Sequence, residues 1–161
     1  MIQIFASVGT QAPFPRLIEY VSQWLSANSE AVGYAQSGPS SSAPSFGGAA
    51  MISMPEFSKR ISECDVLVTH AGMGNIIRAL EEGVPAVIIP RQHRLGEHVN
   101  DHQVDTAAEF SMVPGIFVCS SADEFAKAMK NALAHDRGPA KAGSLEKEKL
   151  LQSIRDFLSA G

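Results

Sequence analysis

Residues Val84–Ile89 form an unbroken apolar run, closed by Gly83 on one side and Pro90 on the other. No polar residue alternates into it, so a strand here is covered on both faces, as in a parallel sheet flanked by helices. Similar short runs recur at Ile2–Val8 and Asp65–Thr69, and helical periodicity lies between them. Phe14, Leu17, Val21, Trp24 and Leu25 share one face of a helix that follows the first strand. Ala31–Ala35 reads as a weak second strand, Ala49–Ile52 as a short one and Gly115–Cys119 as the last. Ser53 with Glu56, and Ser121 with Glu124, form capping boxes that open helices, with Pro55 tolerated in a first turn. Asn75–Glu82 reads as a short helix and Glu97–Phe110 as a longer one. Strands alternating with helices, without a repeat at fixed period, predict a doubly wound parallel α/β sheet. Strand order is not readable from this pattern.

A chain of 161 residues suits one domain, 1–161, large enough to hold a proper core. Within it Ser37–Gly48, SGPSSSAPSFGG, is expected to be a flexible loop whose composition cannot support packing. His135–Gly143 reads as a polar connector. Leu150, Leu151, Ile154, Phe157 and Leu158 then mark a C-terminal amphipathic helix over about 144–159, which packs on its own domain or meets a partner. A formal net charge of −4 provides no basic field, which argues against nucleic acid as a partner. Cys64 and Cys119 adjoin apolar runs and read as buried thiols in a reducing compartment. The opening MIQIFASVGT lacks a basic leader and is broken early by Gly9, so a cytosolic protein is expected.

Chemistry concentrates after Ile89, where Arg91, Gln92, His93, Arg94, Glu97, His98, Asn100, Asp101, His102 and Gln103 crowd one loop. Ligands of open parallel sheets bind outside the carboxyl ends of strands, so these groups suggest a site. A second candidate is Thr69-His70-Ala71-Gly72-Met73-Gly74-Asn75, which leaves a strand and enters a helix through two glycines. Its backbone N–H groups can approach an anion at the positive end of the helix, although glycines also serve chain geometry at such corners. A dinucleotide fingerprint needs a third glycine where Ile77 stands, and the acidic residue expected about 20 positions later is missing, which weakens a nicotinamide reading. His98 and His102, four apart, would share a helical face. Glu97 precedes the first histidine, unlike the zincin order, and a third ligand is not evident, so hydrogen bonding to a polyol fits better than a metal. Gly9-Thr10 is a further contact at the same sheet edge, or a simple tight turn. No Gly-x-Ser-x-Gly elbow is present and neither cysteine is in an activating setting, so nucleophilic hydrolysis has no motif.

The first strand ending in Val-Gly-Thr, the Asp-Val-Leu-Val-Thr-His-Ala-Gly segment, the Glu82–Pro85 corner and, above all, Pro90–Gln103 resemble the glycosyltransferase family 28 C-terminal domain. Similarity is greatest to its small stand-alone version, which includes PssE-type exopolysaccharide subunits and the catalytic subunit of the two-part dolichol-linked N-acetylglucosaminyltransferase. The resemblance implies a Rossmann-like fold equivalent to the donor-binding half of a GT-B enzyme. His70, Ala71, Gly72, Gly74 and Asn75 would then surround the donor diphosphate, and Glu97, His98, Asp101 and Gln103 would meet the donor sugar. Gly9 and Thr10 would line the inter-domain cleft, while Arg91 and Gln92 would shape the loop or offset phosphate charge. No cofactor and no metal are implied, and the general base lies on a partner or is His98.

The implied activity is that of the UDP-sugar-binding subunit of an inverting hexosyltransferase in bacterial cell-surface polysaccharide biosynthesis. It would pass a hexose, hexuronate or N-acetylhexosamine to a lipid-linked saccharide, recruited to the cytoplasmic face of the membrane by an acceptor-binding subunit. The C-terminal helix is the segment implied to join that partner. One position departs from the family. The carboxylate expected five residues before the glycine of the Gly-x-Pro corner, which holds the ribose diol, is replaced by Arg78, a side chain with donors only. Either Arg78 pairs with Glu81 or Glu82 and other groups take the ribose, or the chain is a non-catalytic nucleotide-sugar-binding or scaffolding subunit.

Overall fold

The computed structural model describes residues 1–137 together with 148, 149, 152, 155 and 156, the last five in helical conformation. The C-terminal helix expected over 144–159 otherwise lies outside the described residues. The elements are β1 (Ile2–Ser7), α1 (Pro15–Ala27), β2 (Ala31–Gln36), β3 (Gly48–Ala49), α2 (Met54–Glu63), β4 (Val66–His70), α3 (Met73–Glu82), β5 (Ala86–Ile89), α4 (His102–Phe110), β6 (Ile116–Val118) and α5 (Ala122–Ala134). A short 3-10 turn at His93–Leu95 precedes α4.

All six strands are parallel, in the order β3-β2-β1-β4-β5-β6. The chain therefore winds outward from β1 in one direction and from β4 in the other, and the crevice beyond the ends of these two central strands is the switch point where such sheets bind ligands. Strand side chains divide between two cores. Ile4, Ala6, Val8, Val68 and Ile89 meet Phe14, Leu17 and Val21 of the α1 segment and Phe125 and Met129 of α5. Phe5, Leu67 and Ile88 meet Ile61 of α2, Ile76 and Ala79 of α3, and Ala107 and Phe110 of α4. Every residue of β5 is buried, which is why that run shows no polar alternation. Both serine caps form: Ser53 Oγ accepts from the Glu56 amide and Ser121 Oγ from the Glu124 amide. No helix among the described residues is long and apolar enough to cross a membrane.

Two expectations need correction. The helix expected from Glu97 begins only at His102. Gly96 ends the 3-10 turn in the left-handed region, at φ 70°, and Asn100 Oδ1 accepts the His102 amide at 3.0 Å, so residues 97–101 are spent turning the chain into the helix. His98 and His102 consequently do not share a helical face. The 37–48 segment does pack: Phe46 lies against the α1-side core, Ser37 and Gly38 are buried, and Ser41 Oγ closes the turn onto the Gly38 carbonyl at 2.6 Å.

Candidate functional site

At the ends of the central strands, buried polar residues replace the apolar core. Gln36, Ser7 and Thr69 are register partners on β2, β1 and β4, with exposures of 3%, 0% and 0%. Their hydrogen bonds run in one sense only. Gln36 Nε2 donates to the carbonyls of Gly9 and Ala50 (2.8 and 3.0 Å), which leaves its Oε1 to accept from Ser7 Oγ at 2.9 Å. Thr69 Oγ1 donates to the Ser7 carbonyl at 2.8 Å. Both hydroxyls have thus used their proton, and both accept from Asn75 Nδ2, at 3.1 and 2.8 Å. Asn75 therefore ties the first turn of α3 to β1 and β4. Each buried polar group of this Gln36–Ser7–Thr69–Asn75 network is satisfied, as its low exposure demands.

Beyond this layer opens a cleft of about 670 Å³ lined by Gly9, Thr10, His70, Gly72, Gly74, Asn75, Arg91, Glu97, His98 and Gln103, with Val8, Gln11, Ala12, Gly96 and Val99. A groove of about 650 Å³ between α1 and α5, with Tyr20, Trp24 and Phe125, matches it in size. The switch-point cleft is the better candidate because glycines, histidines and a helix start converge there.

His70 fills the centre of the cleft wall. A Cβ on Gly72 would lie 2.3 Å from its Cε1, and one on Gly9, whose φ is +86°, would lie 2.7 Å from its Nε2. Both glycines therefore make room for the imidazole. Gly74 is different: a Cβ there meets nothing within 4 Å. The N-cap of α3 is Gly72, without a side-chain cap, so the first amides of this helix face the cleft without a side-chain acceptor of their own. Burial, with the nearby charge of Arg91 second, lowers the His70 pKa to about 4.

The loop after β5 is braced by the side chains of Arg91, Glu97, Arg16 and Gln103. Arg91, 4% exposed, donates to the carbonyls of Val8, Ala12 and Pro13 at 2.7 to 2.9 Å and stacks on Phe14. It binds the β1–α1 loop to the β5–α4 loop, and burial lowers its pKa, with Glu97 opposing. Glu97 receives both Nε and Nη2 of Arg16, at 2.9 and 2.8 Å, and the Gln92 amide at 3.0 Å. Arg16 also reaches the carbonyls of Pro90 and Ser120. Burial works to lower the Arg16 pKa, but hydrogen bonds and charge from Glu97 and Tyr20 outweigh it and raise the value. Gln103 Oε1 accepts the amides of Ala71 (3.2 Å) and Arg91 (3.0 Å).

The sequence candidates thus fall into three groups. His70, Gly72, Gly74, Asn75, Gly9, Thr10, Arg91, Glu97, His98 and Gln103 meet in one cleft. Ala71 and Gln92 are buried, and Asp101 Oδ1 holds the His93 amide at 3.0 Å; these three support the walls. Arg78 turns away, its Nη2 donating to Ser58 Oγ on α2 at 2.6 Å, while Glu81 lies 3.8 Å from Arg155. Sequence reading missed Arg16, whose partner Glu97 lies 81 positions away, and missed Ser7, Gln36 and Thr69 as a unit. Their signal was available, since each is a polar residue ending or nearly ending an otherwise apolar strand. Among the described residues no group of three or more His, Cys, Asp or Glu could hold a metal ion.

Part of this cleft lies in a segment that is similar to a known family. Residues 49–113 match the Glycosyltransferase family 28 C-terminal domain. The family 28 match spans β3 to just past α4, and so contains the uncapped start of α3 and the braced loop. Among solved structures, the glycotransferase of kitacinnamycin superposes with a TM-score of 0.66 at 22% identity, over 99% of this chain and 39% of that one. ALG13 superposes at 0.59 and 16% identity, over 93% and 94%, and MurG from Acinetobacter baumannii at 0.52 and 15%, over 96% and 52%. The chain therefore spans about two fifths of the first of these proteins and nearly all of ALG13. At these identities the likeness is one of fold: a doubly wound, Rossmann-like sheet corresponding to the C-terminal half of GT-B glycosyltransferases. No curated protein matches the sequence closely.

Proposed function

We propose that the cleft binds the diphosphate and sugar of a UDP-sugar, and that the chain is the donor-binding, catalytic subunit of an inverting hexosyltransferase. The observation that carries this reading is the start of α3, where glycines at positions 72 and 74 leave the first helical amides open to the cleft beside His70. Aligned backbone amides at a helix N-terminus favour an anion. In the reaction the acceptor oxygen attacks C1 of the sugar as the bond from C1 to the phosphate oxygen breaks, which inverts the anomeric centre. Negative charge grows on the leaving diphosphate, where fixed N–H groups stabilise it and no metal is required. The acceptor proton passes to a general base, on a partner or at His98, which lines the same cleft. A membrane-associated partner supplies the acceptor half and a lipid-linked saccharide, in keeping with the family 28 match and with a fold likeness to ALG13 that covers nearly all of both chains.

Calorimetric titration with UDP and a panel of UDP-sugars, alone and with the co-expressed partner, tests the proposal. Saturable binding of one sugar nucleotide supports it, and absence of binding in both settings overturns it.

Arg78 favours a second reading. It stands where the resemblance places the ribose-holding carboxylate, and its Nε is buried without a hydrogen-bond partner among the described residues. On this reading the donor site is degenerate and the chain a nucleotide-sugar-binding scaffold. Arg78→Glu is expected to tighten UDP binding if the position faces the ribose; unchanged or weaker affinity counts against that alignment.

A further inference from the structure

We infer that Gln103 and Asn100 are positioning residues that fix opposite tautomers in two histidines of the cleft, making His70 a permanent N–H donor and His98 a lone-pair base at Nε2. The inference rests on the transferase reading for its chemical meaning, but the tautomers follow from hydrogen bonds alone.

Backbone amides can only donate. Gln103 Oε1 accepts two of them, from Ala71 and Arg91, so the orientation of its amide is settled. The other end, Nε2, must then donate to His70 Nδ1, 3.1 Å away. With its lone pair used at Nδ1, a neutral His70 carries its proton on Nε2, beside Gly9 and Gly72. Burial and Arg91 keep the ring neutral down to about pH 4. His70 therefore cannot serve as a base at neutral pH, and offers an N–H to whatever enters the cleft.

The same logic gives His98 the reverse arrangement. Asn100 Oδ1 accepts the His102 amide at 3.0 Å, so the atom 3.1 Å from His98 Nδ1 is an oxygen. His98 Nδ1 must donate to it, which leaves Nε2 with the lone pair. The structure thus divides labour between two imidazoles: one stabilises charge on a leaving group, the other takes a proton. Such a division matches pairs of groups whose environments separate their acid–base roles. It also gives Asn100 two duties, because the oxygen that opens α4 is the one that orients His98.

Long-range proton–nitrogen NMR on the full chain with labelled histidine, at pH 8 where an ordinary histidine is neutral, reads the tautomers directly. Single histidine substitutions assign the signals. The expected result is the Nε2–H form for His70 and the Nδ1–H form for His98. Asn100→Ala, a change in a partly exposed loop, should shift His98 toward the Nε2–H form while leaving His70 unchanged. Gln103→Glu should do the reverse: a carboxylate still accepts the two amides but cannot donate to Nδ1, so His70 becomes Nδ1–H or protonated. Finding both histidines in the same tautomer in the unmodified protein, or no change at His98 in Asn100→Ala, overturns the inference even if Gln103→Glu fails to fold. Calorimetry with UDP on the same samples separates the two claims. Predicted tautomers without nucleotide binding uphold the positioning roles and overturn the donor site, and binding with the wrong tautomers does the opposite.

Discussion

Replacing Gly74 by alanine should stabilise the protein and weaken its ligand binding at once. The residue is helical, second in α3, and an added methyl meets nothing within 4 Å. Alanine in place of a helical glycine with room for the methyl gains about 0.4–1 kcal/mol, chiefly by restricting the unfolded chain. For a domain of this size that raises the melting temperature by roughly 1–4 °C. In the complex the same methyl occupies space through which an anion must pass to reach the helix amides. Losing one hydrogen bond to a charged group costs about 1.5–3 kcal/mol, so UDP affinity should fall roughly ten- to hundredfold. Gly72→Ala is the control, because its methyl would lie 2.3 Å from the His70 ring and overpacking of that kind costs about 1–3 kcal/mol of stability. Urea unfolding and calorimetry with UDP on the two variants give the comparison. A Gly74→Ala protein that binds UDP as the parent does, or one that is destabilised, refutes the argument that this glycine exists for a ligand.

The remaining predictions concern the scaffold. Thr69→Val removes the bond to the Ser7 carbonyl and leaves an Asn75 proton without its acceptor, so urea unfolding should show a loss of about 1–3 kcal/mol; a neutral result would mean the polar chain has little structural weight. Arg91→Lys keeps the charge but loses the planar fork that reaches three carbonyls. It should cost about 2–3 kcal/mol, with hydrogen exchange rising in residues 9–14 before it rises in the sheet. Acid should also destabilise the fold through His70. Its folded pKa, about 4, lies below the ordinary 6.5, so the unfolded chain binds the proton more readily and stability falls as pH drops from about 6.5 to 4. The full effect is about 3 kcal/mol, and a His70→Gln variant should show a shallower slope over that window.

Much of the fold was legible because burial writes itself into composition. The unbroken run at 84–89 encodes a strand covered on both faces, and the serine caps at 53 and 121 mark helix starts through a local bond. The start of α4 was misplaced for a physical reason: Glu97, His98 and Asn100 suit a helix by periodicity, but each is claimed by a partner that periodicity does not reveal, above all Arg16 for Glu97. Strand order, and with it the switch point, depends on pairings between distant segments and was likewise out of reach. The cleft residues near the two glycine-bearing turns could be named in advance because glycines that lead from a strand into a helix, beside a histidine, mark a corner open to an anion. Their roles could not. Gln103, expected at the sugar, spends its amide on Ala71, Arg91 and His70, and Asn75, expected at the diphosphate, spends its Nδ2 protons on Ser7 and Thr69.

The central claim is that a nucleotide diphosphate binds at the start of α3. An NMR titration of the nitrogen-labelled chain with UDP tests it most directly. Saturable shifts are expected, centred on the amides of Gly72, Met73, Gly74 and Asn75, with Gly9 and His70 responding. Absence of saturable change, or shifts gathered instead around Tyr20, Trp24 and Phe125 in the groove between α1 and α5, would contradict it.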